Sequence, residues 1–142
     1  MRAEPVPGPQ GRYVPVTRSG STIRTAGMTP RRDGRLVVTG RVGESVEIPQ
    51  AREAAGLAAR NAIAAARSVV TEGERLTFAE MTVYIACSSD FTELSAVADG
   101  ASDAAAEEVG ANGLPARSAV GVYALPGGSP VEVALVAEVV TT

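Results

Sequence analysis

The chain has 142 residues, 45% hydrophobic and 20% charged, with 13 basic against 16 acidic side chains and a net charge of −3. That is the size and composition of one globular domain, by the usual scale of about 100–200 residues per domain. It holds no His and no Trp, every basic residue is Arg, and Cys87 is the single cysteine. A His general base, a Lys Schiff base, a His-containing or all-thiolate metal site and an internal disulfide are therefore excluded. The arginines are scattered from Arg2 to Arg117 rather than clustered, so no nucleic-acid partner is expected. No run approaches the ~18 apolar residues that span a bilayer, and no apolar stretch follows Met1-Arg2-Ala3-Glu4-Pro5, so a cytoplasmic protein with no membrane partner is expected.

Residues 1–11, with Pro5, Pro7, Gly8, Pro9 and Gly11, predict a flexible N-terminal arm, and residues 12–142 a single domain. Arg12 to Arg18 predicts a strand, Ser19-Gly20-Ser21 a turn, and Thr22 to Ala26 a second strand closed by Gly27, together a β-hairpin. Pro30 to Gly34 reads as a polar turn, Leu36 to Val38 as a short strand, and residues 40–49 as a loop. Residues 50–70 predict a helix, since Ala54, Leu57, Ala58, Ala62, Ala65 and Val69 recur at helical spacing. Met81 to Ala86 predicts a central strand and Ala96 to Val109 a second Ala-rich helix. Arg117 to Ala124 and Pro130 to Val140 predict the last two strands, joined by a turn at Leu125-Pro126-Gly127-Gly128. In the last strand Val131, Val133, Leu135, Ala137 and Val139 share one face. The order β-β-β-α-β-α-β-β, without a strict βαβα rhythm, predicts an α+β fold with its helices on one face of the sheet.

Without His or Lys, chemistry falls to Arg, acidic, hydroxyl and backbone groups. Arg117 opens a strand of small residues (Ala116, Ser118, Ala119, Gly121), where its planar fork can take a carboxylate in bidentate fashion. An Arg in that position equally makes a salt bridge at a strand end. Glu132 lies across the Pro126-Gly127-Gly128 turn, on a strand expected to pair with that of Arg117, and there it can hold water or act as a base, or stand as an ordinary outward Glu. Cys87 has no activating neighbour in sequence and reads as a small buried residue. Gly40 to Glu44 lacks the Lys-Ser/Thr ending of a phosphate loop. Asp99 and Asp103, one helical turn apart, are too few ligands for a cation site, so no metal is expected. Ala134 and Val136 give the last strand an apolar second face that marks a partner surface.

The segment Pro115-Ala116-Arg117-Ser118-Ala119-Val120-Gly121-Val122, followed by Leu125-Pro126 and Val131-Glu132-Val133, resembles the C-terminal signature of the Rid (YjgF-type, reactive intermediate deaminase) family. Tyr13-Val14-Pro15, Thr25 to Pro30, Gln50-Ala51-Arg52 leading into Asn61-Ala62, and Asp90 to Glu93 are similar to that family's other landmarks, and Val97 to Asp103 resembles one subgroup. The resemblance implies a chorismate-mutase-like fold, a mixed β-sheet with two helices packed on one face, assembled as a homotrimer with ligand sites between subunits. It implies cofactor-independent hydrolysis of enamine or imine intermediates, of the aminoacrylate or α-imino acid type, to a keto acid and ammonia, with neither cofactor nor metal. Arg117 then grips the substrate carboxylate, and Glu132 positions the attacking water. The backbone N–H near Ala119 assists carboxylate binding, Tyr13 lines the pocket from a neighbouring subunit, and Gly27 lets the backbone approach the ligand. Ala26 stands where many members have Ser, which takes a hydroxyl from the pocket, and the stretch from Phe91 to Arg117 is longer than in the best-known members. The alternatives are a non-catalytic trimer that binds a small carboxylate such as a keto acid, or a dedicated step of a biosynthetic pathway. The ribonuclease activity sometimes attached to the family is not expected from an acidic chain without His or Lys.

Overall fold

The computed structural model describes residues 5–142, so the first part of the expected N-terminal arm lies outside the described residues. Residues 5–15 lie outside any helix or strand, and the first strand, β1 (Val16–Ser19), begins later than the expected Arg12. Tyr13 explains the delay: its N–H turns back to the Gly11 carbonyl, and its hydroxyl accepts the Gln10 N–H at 3.0 Å. β1 pairs with β2 (Thr22–Thr25) through a tight hairpin in which Gly20 takes φ +62°. Such two-residue hairpin loops need left-handed backbone, which costs glycine nothing. The polar turn of residues 30–34 is itself a miniature hairpin, β3 (Arg31–Arg32) with β4 (Arg35–Leu36), closed by Asp33 and Gly34 at φ 55° and 79°.

Helix α1 runs Ile48–Arg67, and Gln50 caps its start by accepting the Glu47 N–H at 3.1 Å. It is followed by β5 (Glu74–Ala86), α2 (Leu94–Val109), β6 (Ala116–Val122) and β7 (Val131–Thr141). β5 is longer than the expected Met81 to Ala86. Its inward residues are Leu76 and Phe78, then Met81, Val83 and Ile85; a register shift between Phe78 and Glu80 adds a residue and breaks the period-two pattern.

The five-stranded sheet has the order β1-β2-β7-β5-β6, antiparallel throughout except for the parallel pair β5 and β6. α1 and α2 pack against each other and against one face of the sheet, as the α+β reading requires. Between them the core is Ala51, Ala55, Ala58, Ala62 and Ala65 against Val97, Ala98, Ala101 and Ala105, all buried. Alanines bury little area each, but they let the helices approach closely and recover dispersion contacts. At Gly100 the two helices leave no room for a side chain, since a Cβ would overlap the Arg52 backbone carbonyl.

The topology corrects one expectation. β6 and β7 are not neighbours, because β5 lies between them. Residues 123–130 cross the end of β5 instead of forming a hairpin, held there by the Ala86 N–H on the Pro130 carbonyl at 2.9 Å and by the buried Ser129. The opposite face of the sheet carries no helix. It presents Glu132, Ala134, Val136 and Glu138 of β7, Thr82 and Tyr84 of β5 and Val120 of β6.

Candidate active site

Glu132 stands on this uncovered face, opposite Tyr84 in register. The reciprocal bonds between Met28 and Val133 (2.7 and 2.8 Å) pin the chain after β2 against β7, and so bring Gly27 onto the Glu132 side chain. Gly27 needs no unusual backbone; it supplies space, since a Cβ there would overlap the Glu132 carboxylate. That carboxylate is half-buried, and no donor among the described residues bonds it. Burial therefore lifts its pKa above the ordinary value of 4.5, because no charge or hydrogen bond offsets the lost hydration. Glu138, two positions along the same face from Val136, behaves oppositely: the Thr22 and Ser21 hydroxyls donate to it at 2.6 and 2.8 Å and hold its pKa down.

Arg117 follows a different course. It pairs with Met81 on β6 and so faces the helices. Its Nη1 donates to Asp99 Oδ1 and to Ser102 Oγ, each at 2.8 Å, both on α2. The salt bridge weighed from the sequence therefore exists. It uses one nitrogen: Nε and Nη2 bond nothing among the described residues, and the side chain keeps 20% of its surface exposed. The fork edge that a carboxylate takes in bidentate fashion is thus uncommitted.

Arg117 and Glu132 consequently do not meet within one chain. Strand β5 separates them, and they project from opposite faces of the sheet, since Glu132 alternates with buried Val131 and Val133 whereas Arg117 aligns with buried Met81. Ala119 lies on the helix-facing side of β6 beside Val83, packed on the core. Ala26 is half-buried next to Gly27, its N–H on the Pro15 carbonyl at 2.8 Å. Tyr13 is 47% exposed and folded over its own Gly11. Of the residues singled out in the sequence, the structure brings Gly27 to Glu132, with Ala26 next to it in the chain, leaves Arg117 and Ala119 on the other face of the sheet, and folds Tyr13 over Gly11. Asp99 and Ser102 were not tied to Arg117 by the sequence reading, though their spacing of three on α2 puts them on one helical face.

Other candidates resolve structurally. Cys87 is half-buried, and desolvation raises its thiol pKa, so it carries little thiolate. Residues 40–44 are an architectural loop: Val42 bridges to Val46 and Cys87, and the Arg41 guanidinium stacks over Tyr123 at 4.2 Å. Asp103 pairs with Arg52 at 3.1 Å, and no group of three or more acidic or Cys side chains able to hold a metal occurs among the described residues. No described helix is long and apolar enough to cross a membrane.

A sheet of this order with two helices on one face and a Gly-backed Glu on the other defines a class, and comparison with known proteins names it. The Endoribonuclease L-PSP family model matches residues 3–139. Protein TCP17 of Trypanosoma cruzi is 34% identical over 130 residues, covering 88% of this chain and 79% of its own. Among solved structures, Atu1372 of Agrobacterium tumefaciens, described as of unknown function, is 34% identical with a TM-score of 0.83, covering 94% of this chain and 86% of its own. A Shewanella oneidensis protein described as a candidate endoribonuclease is 26% identical with a TM-score of 0.88, at 97% and 92% coverage. Escherichia coli YjgF shares the fold at 23% identity, a TM-score of 0.64 and 96% and 93% coverage. The chain belongs to the Endoribonuclease L-PSP family, the YjgF or Rid type that its C-terminal segment resembles.

Proposed function

We propose that this protein is a cofactor-independent deaminase that hydrolyses small carboxylate-bearing imines and enamines to keto acids and ammonia, working as a homotrimer whose clefts join Arg117 of one copy to Glu132 of another. The observation that carries the reading is Glu132, a half-buried carboxylate with no donor among the described residues, against which Gly27 leaves no side chain. A raised carboxylate pKa suits a proton carrier, because it narrows the gap to the water it activates. Two features support a site shared between copies. Arg117 sits on the edge strand β6, and the uncovered sheet face offers Val120, Ala134 and Val136 to a second chain.

The chemistry needs little more. The free Nε and Nη2 edge of Arg117 holds the substrate carboxylate and places the imine carbon. Water adds its oxygen to that carbon while Glu132 takes a water proton. Glu132 passes that proton to nitrogen, which gives a carbinolamine; the hydroxyl proton then follows to nitrogen through the same carboxylate, the carbon–nitrogen bond breaks, and the carbonyl forms as ammonia leaves. The imine is already electrophilic, so orientation supplies most of the catalysis. An enamine first gains a proton on carbon, which protonated Glu132 can provide.

Asp99 on Arg117 and the missing hydroxyl at Ala26 favour the second reading, a trimer that binds a keto acid without turnover. Ammonia release from freshly generated imino acids separates the two. The deaminase reading expects acceleration that Arg117→Ala and Glu132→Gln each abolish. Rates equal with and without protein, together with thermal stabilisation by a keto acid, would establish the binding module instead.

A further inference from the structure

We infer that Asp99 and Ser102 of α2 are positioning residues for Arg117, and that the Asp99 charge selects ligands bearing a single carboxylate over dicarboxylates. The inference rests on the reading of Arg117 as the anion grip. Arg117 is on the helix-facing side of β6, and α2 passes directly over it: residues 99 and 102 take the same Nη1 at 2.8 Å each. The α2 rotation that brings both to one nitrogen is itself set by packing, since Gly100, next to Asp99, lies against the Arg52 carbonyl of α1 with no room for a Cβ. The guanidinium is thus tethered at one corner to a rigid helix, and its Nε and Nη2 edge is presented in one direction. An untethered Arg would lose that orientation to rotamer freedom when it binds.

The tether carries charge as well as geometry. Asp99 neutralises one unit of charge at the guanidinium, so a bound monocarboxylate becomes the second carboxylate on a single cation. A further carboxylate on the ligand meets a site that Asp99 and the first carboxylate have already made negative, a like-charge arrangement that disfavours binding. The Arg52 guanidinium is engaged by Asp103 of α2 at 3.1 Å, so it is not a free compensating cation. Ser102 contributes a hydrogen bond and no charge, so its removal weakens both ligand kinds alike.

Titration of the full protein with α-ketovalerate and α-ketoglutarate, which differ by a terminal methyl against a carboxylate, tests this by calorimetry or NMR. Wild type is expected to prefer α-ketovalerate. Asp99→Asn keeps the acceptor for Nη1 and removes the charge, and is expected to shift the preference toward α-ketoglutarate by roughly tenfold. Ser102→Ala is expected to weaken both ligands by a similar factor and leave their ratio unchanged. If wild type binds α-ketovalerate but Asp99→Asn leaves the ratio within about twofold of it, the role of Asp99 is overturned while the anion grip stands. If wild type binds neither ligand, the reading of Arg117 falls and this inference with it.

Discussion

Gly27 and Glu132 are in contact so close that the first has no room for a side chain and the second has no hydrogen-bond donor among the described residues. The pair is set by the Met28–Val133 bonds, which leave Gly27 nowhere else to go. Adding a methyl by Gly27→Ala must therefore move the carboxylate rather than the backbone. Because the displaced atoms end a flexible side chain, stability is expected to fall by less than about 1 kcal/mol. The proposed deaminase activity is expected to fall by about 10²-fold, the scale of an ångström-sized misplacement. Parallel thermal unfolding and ammonia-release assays read the two effects, and an active Gly27→Ala protein with an unchanged fold would remove Glu132 from the mechanism.

Glu132 also gives a pH signature. Burial raises its folded pKa above 4.5, so the folded state holds its proton more tightly than the unfolded chain does. Any stability linked to that proton is complete below the unfolded value and is lost as pH rises through the folded value. At neutral pH the ionised side chain thus opposes folding. Glu132→Gln is expected to melt higher than wild type near neutrality, with the difference vanishing below about pH 4.5, the ordinary carboxylate value. Melting curves across that range check the sign.

Glu74 gives a signature of the opposite sign on the acid side. Arg18 donates to both its oxygens at 2.7 and 2.6 Å, and the Thr71 backbone and hydroxyl add to the first. The Arg18 hydrogen bonds foremost, then those of Thr71, lower its pKa to about 2 from 4.5. Here the linkage reverses: the stabilisation is present above the unfolded value and disappears as pH falls through the folded one. Glu74→Gln is expected to melt lower than wild type at neutral pH, and to show a flatter decline between pH 4.5 and about 2. The hairpin of β1 and β2 is what this pair ties to the start of β5, so its amides should exchange faster in the variant.

Gly100 tests the helix pair. A Cβ would overlap the Arg52 carbonyl, which is backbone and cannot swing aside. Gly100→Ala is expected to cost about 1–3 kcal/mol, the usual range for overpacking, despite the better helix propensity of alanine. Denaturant unfolding measures it. A second consequence concerns the neighbouring residue: as α2 shifts, the Asp99–Arg117 bond should lengthen and keto-acid binding weaken.

Several features were legible from the residues. Alternation from Val131 to Val139 announced the buried face of β7, helical spacing of Ala and Leu announced α1, and the Rid-like segment around Arg117 and Glu132 announced the family. The first half of β5 was not legible, because the extra residue near Ala79 shifts Leu76 and Phe78 out of phase with Met81 and Val83. The start of β1 was misplaced because Tyr13 and Val14 have strand character, yet local bonds to Gly11 and Gln10 hold the chain out of the ladder.

The amino-acid order by itself determined the two helices, the buried face of β7, the chemical inventory and the candidate groups, since periodicity, turn residues and the absence of His and Lys are properties of neighbours along the chain. Only the tertiary structure decided that β5 runs between β6 and β7, and therefore that Arg117 and Glu132 point away from each other. It likewise decided that Asp99 holds Arg117 and that Gly27 clears Glu132. Strand order and helix rotation depend on which surfaces bury one another across the whole fold. No local spacing encodes that choice, because contacts between residues far apart in sequence are formed only when the core closes.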